Sequence, residues 1–100
     1  MLAEHAVSNW FELNAAFNQF FTPYGTVVAE KDSIAFIADS SKVNTSFTVF
    51  RDGRFAAAMP LHEVDAKADR LIFNETSNSL RCEGSFGQYI YRIPQQLIGA

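Results

Sequence analysis

Val7, Trp10, Leu13, Phe17 and Phe20 or Phe21 recur at intervals of three and four between Glu4 and Phe21. This spacing lays one apolar stripe along an α-helix and predicts a helix over residues 4–21. Asn9, Glu12, Asn14, Asn18 and Gln19 fall mostly on the opposite side. Phe11 lies off the stripe, because about 100° per residue turns it well away from the stripe's centre. Thr22-Pro23-Tyr24-Gly25 ends the helix: proline disfavours helical backbone at the residue before it, and glycine permits a reversal.

Beyond Gly25 the period shortens to two, the mark of strands. The runs 26–30 and 33–38 read as short strands joined by Lys31-Asp32, and the cluster at 39–42 reads as a turn. From 43 to 50, Val43, Thr45, Phe47 and Val49 alternate with Asn44, Ser46, Thr48 and Phe50. Asp52-Gly53 then signals a two-residue hairpin turn, with a return strand over 54–59. Further strands are expected at 70–74, 80–83 and 88–93, divided by polar or glycine-containing turns. The stretch 61–69 fits either a short helical turn or an extended connection.

A two-residue turn sets a register in which Phe50 opposes Phe55, Val49 opposes Ala56 and Phe47 opposes Ala58. One sheet face then carries Phe47, Val49, Ala56 and Ala58, leaving room for the helix. The other carries Phe50, Phe55, Ala57 and Met59. The expected fold class is α+β: one N-terminal amphipathic helix packed on a curved six- or seven-stranded antiparallel sheet, in one domain spanning 1–100. One helix about 10 Å across does not cover a sheet roughly 29 Å wide. The sheet must curl, or a second surface must cover it.

Composition narrows the functional classes. The chain is 48% hydrophobic, with 10 of its 14 aromatic residues phenylalanine. A net charge of −3 with dispersed Lys and Arg argues against nucleic-acid binding. The single cysteine, Cys82, excludes an internal disulfide. With no signal-peptide pattern in residues 1–10 and no run long enough for a membrane span, the expected location is cytoplasmic, away from membranes.

Candidate chemistry is sparse. His62, Asp65 and Asp69 would share a helical face, but the set lacks the second histidine of a zinc-protease motif, so no metal or other cofactor is expected. Cys82 shares parity with Leu80 and is expected to point inward, without the electropositive setting or base a nucleophile needs. Tyr89 and Tyr91 project to one side of the last strand and are candidates to line a ligand pocket. Arg51 and Arg54 flank the hairpin as solvated turn residues. Since no catalytic set is complete, the first functional expectation is a non-catalytic interaction module. It would self-associate as a homodimer through Phe11, Phe50, Phe55 and Met59, or cover that surface with another protein. The alternatives are a cup for a small apolar ligand between helix and sheet, and a small isomerase or hydrolase using His62 or a buried carboxylate.

Overall fold

The structure, a computed structural model, describes residues 2–59 and 62–98. The side chains of residues 58, 59 and 62–66 lie outside that description. The fold is α+β, but the antiparallel strands form two sheets and not one curved sheet. Among the described residues, the order is β1 (Leu2–Ala6), α1 (Trp10–Phe21), a 3-10 turn (Thr22–Tyr24), β2 (Gly25–Ala29), β3 (Ser33–Ala38), β4 (Ser46–Phe50) and β5 (Arg54–Met59). These are followed by β6 (His62–Lys67), β7 (Arg70–Asn74), β8 (Ser79–Gly84), β9 (Gly87–Arg92) and α2 (Gln95–Ile98). One sheet runs β2-β3-β4-β5-β6, and the other runs β1-β7-β8-β9. No helix among the described residues is long and apolar enough to cross a membrane.

The helix begins later than its apolar spacing suggests. Leu2–Ala6 pairs instead with β7, from Leu2↔Asn74 to Ala6↔Arg70. Val7 N–H donates to the Asp69 carbonyl at 2.8 Å and Asn9 N–H to that of Ala6 at 3.0 Å, turning the chain into α1. The long-range ladder thus takes the backbone groups of residues that a helix would have used. The stripe survives within α1, where Leu13, Phe17, Phe20 and Phe21 are buried.

The 51–53 hairpin also departs from expectation, by one residue. Its loop has three residues, Arg51-Asp52-Gly53, and Gly53 N–H donates to the Phe50 carbonyl at 2.9 Å. Gly53 has φ +100°, which glycine adopts without the steric cost a Cβ would bring. The resulting register is Val49↔Phe55, Thr48↔Ala56 and Phe47↔Ala57. A one-residue slip exchanges the two faces of a strand. Phe55 and Ala57 therefore join Phe47 and Val49 in the core, and Ala56 turns outward.

The two sheets close on one aromatic core. Phe47 from one meets Tyr91 from the other with ring centroids 5.0 Å apart, and Phe55 meets Tyr89 at 5.8 Å. Phe17 of α1 reaches Phe47 at 6.4 Å and Phe73 at 6.5 Å, touching both sheets. Phe21 stacks on Phe36 at 4.5 Å. Such offset and edge-on contacts add to the burial of apolar area.

The 61–69 ambiguity resolves as strand, for His62–Lys67 is β6. The chain passes from one sheet to the other at Ala68-Asp69. Ala68 N–H donates to the Gly53 carbonyl and Asp69 N–H to that of Glu83, each at 2.7 Å. A Cβ on Gly53 would stand 2.5 Å from the Ala68 carbonyl oxygen. Strands that switch sheets need such a corner, and here backbone from both sheets holds it tightly.

Candidate interaction surface

The residues singled out from sequence do not converge on one place. Tyr91 is buried and shares a 3.0 Å hydrogen bond with the Thr45 hydroxyl, which joins the two sheets. Burial raises the Tyr91 phenol above its ordinary range, and the Thr45 bond only partly opposes this. Tyr89 is half-buried against Phe55, and burial raises it too. Tyr91 therefore belongs to the core and not to a pocket lining. Cys82 is fully buried opposite Tyr89, and burial pushes its thiol up strongly. A thiol kept protonated in this way is a small hydrophobe, not a nucleophile.

The space between helix and sheets is filled by Phe17, Phe21, Phe36, Phe47 and Tyr91. The metal and catalytic readings of the 62–69 segment lose their helical face, because His62–Lys67 is extended. The side chains of His62 and Asp65 lie outside the described residues. Among the described residues no three His, Cys, Asp or Glu side chains gather as a metal site.

The four residues expected at an interface separate. Phe55 is 0% exposed, so its outward assignment is corrected by the hairpin register. Phe50 is half-buried beneath Arg54, whose guanidinium sits 4.8 Å from the ring centroid. Arg54 is in turn held by Asp52 at 2.9 Å. The Arg54 backbone N–H holds the Asp52 carboxyl below its usual range. Met59 closes β5 opposite His62, and its side chain lies outside the described residues. Phe11 stands open, at 86% exposure.

Phe11 does not stand in isolation. With Asn14, Ala15 and Asn18 of α1 it borders a groove whose far side is Val27, Ala29 and Ile34. The groove runs between the helix and β2, an outer strand of the five-stranded sheet. On the outer face of the same sheet margin, Val28 is 42% and Ile37 48% exposed. Neither the four helical residues nor Gly25–Ala29 include a charged side chain. Sequence inspection picked out Phe11 but not β2. Nothing in the run Gly-Thr-Val-Val-Ala tells a central strand from an outer one; the topology decides that.

Comparisons with protein-family models, with curated proteins and with solved structures returned no match.

Proposed function

We infer that the protein is a non-catalytic interaction module that self-associates as a homodimer through the surface around Phe11. The observation that carries this reading is a phenylalanine left 86% exposed beside an uncharged groove and an uncharged strand. A lone exposed apolar residue needs no explanation. An exposed aromatic beside an uncharged groove and strand on a small monomer is an association site or an aggregation hazard, and a closed dimer hides it without leaving a second sticky surface. Charge points the same way: each copy carries −3, so two copies meet most readily where neither bears charge.

Sedimentation equilibrium at micromolar concentration is expected to give twice the 11.2 kDa monomer mass. Phe11→Glu is expected to shift the protein to monomer with its circular dichroism unchanged, since the side chain takes almost no part in the core. A wild-type chain that stays monomeric at high concentration refutes the reading.

A further inference from the structure

The two sheets have four outer strands, and three carry charged residues: Glu4 in β1, Glu63, Asp65 and Lys67 in β6, and Arg92 in β9. Charges on an outer strand discourage pairing with another chain. β2, with the sequence Gly25-Thr26-Val27-Val28-Ala29, has no charge, no proline and three β-branched residues. It is the strand left open to addition.

The backbone orientation of β2 follows from one hydrogen bond. Glu30 N–H donates to the Ser33 carbonyl at 2.8 Å, so the peptide groups of residue 30 face β3. Orientation alternates along an antiparallel strand. With the pairs Val28↔Ala35 and Thr26↔Ile37, residues 28 and 26 also face β3. The N–H and C=O groups of Gly25, Val27 and Ala29 therefore face the open side, next to the groove lined by Phe11.

We propose that the dimer forms by antiparallel addition of β2 to β2 of a second copy, centred on Val27, so that the two five-stranded sheets become one ten-stranded sheet. This rests on the self-association inferred above. The register is fixed by self-matching. With Val27 opposite Val27 of the partner subunit, Gly25 opposes Ala29 of the partner subunit, and the reverse. Every outward peptide group then meets another outward group, and each such residue pair exchanges two hydrogen bonds. No charged residue is opposed within the five paired positions, so two chains of like charge meet without repulsion at the seam. A slip to either side leaves outward groups of Gly25 or Ala29 without partners.

The same dyad accounts for Phe11. Two antiparallel strands joined in this way keep the inner faces of their sheets on the same side, so both α1 helices flank the seam. Phe11, Ala15 and Asn18, at spacings of four and three, form a second stripe on α1 that borders the seam. Each copy's Phe11 is covered by the neighbouring helix, and small Ala15 allows close approach. Strand addition supplies the main-chain bonds and the flanking groove supplies the side-chain fit, the division of labour seen when an extended segment joins a sheet edge.

Amide hydrogen exchange on the wild-type chain tests this without any substitution. When nine-tenths of the chains are dimeric, the amides of Gly25, Val27 and Ala29 are expected to exchange about tenfold more slowly than in dilute monomer. The Val28 amide, which faces β3, serves as the reference that is protected in both. Val27→Pro removes an outward N–H, which an outer strand tolerates, and is expected to abolish the dimer while the circular dichroism persists. A dimer whose Val27 and Ala29 amides exchange as fast as in the monomer overturns strand addition but leaves self-association standing. Protection of Val27 without Ala29 overturns the register. A chain monomeric at all concentrations overturns both readings.

Discussion

The two sheets are alike inside and unlike outside. Both inner faces are aromatic and share one core through Phe47, Phe55, Tyr89 and Tyr91. On the outside of the four-stranded sheet, Arg70 and Arg81 each reach Glu83 at 2.7 Å, and Arg70 also approaches Glu4 at 3.8 Å. From β2 to β5, the five-stranded sheet presents Thr26, Val28, Ala35, Ile37, Ser46, Thr48 and Ala56, with charged Arg54 at the hairpin end, over Phe50 and paired with Asp52. Exposed ion pairs of the first kind contribute at most about 1 kcal/mol each. Their larger effect is to make contact with another chain unfavourable. Core packing and partner avoidance are thus separate demands on a strand, and β2 meets only the first.

The comparison assumes one core beneath both sheets, and Phe17→Ala tests that most severely. Its ring reaches each sheet, so truncation is expected to cost about 3–5 kcal/mol, read from the denaturant midpoint. A single transition for both sheets should persist. Two separable transitions would mean that the sheets are independent. Next in size is the corner that joins them. Gly53→Ala would place a Cβ 2.5 Å from the Ala68 carbonyl oxygen at φ +100°, with an expected loss of about 1–3 kcal/mol. An unchanged midpoint would show that the corner yields freely.

The smallest effect separates the sheets by chemistry. The buried thiol Cys82 lies on the four-stranded sheet, whereas the described inner side chains of β3 to β5 include no ionisable group. Burial raises the folded-state pKa of Cys82 above its unfolded value of about 8.5. Full stability is therefore present below that value. It falls as pH rises past it, because the unfolded thiol ionises while the folded one stays protonated. By pH 9.5 the loss is expected to reach about 1.4 kcal/mol. Denaturant midpoints between pH 8 and 9.5 should show this slope in wild type and lose it in Cys82→Ala. An equal slope in both would place the alkaline sensitivity elsewhere.

Local pattern made much of this legible. The apolar stripe of α1 placed Leu13 and Phe17 in the core, and β3, β5 and β7 fall at the residues their alternation marks. The errors all lie where a distant partner decides. Leu2–Ala6 has no clear apolar alternation to announce a strand, and its ladder is made by β7. Asp52-Gly53 fits both two- and three-residue loops, and the choice between them carries Phe55 from one face to the other. Ala68-Asp69 contains neither glycine nor proline, although the sheets divide there. Of the candidate surface, Phe11 was readable because a helix period exposes any residue off its stripe. The open side of β2 was not, because a strand's position in a sheet depends on the whole topology.

The β1–β7 ladder also sets an order of events in folding. Among the described residues, every other ladder joins strands that are consecutive along the chain, so each grows by short loop closures. β1 is synthesised first yet has no partner until β7 has been made. Its pairing closes the longest loop in the fold, and non-local closures of this kind form slowly. Until it closes, Leu71, Ile72 and Phe73 sit in an open strand, a species more prone to misassembly than the finished protein. The strand that comes first in this fold is thus the one that completes it.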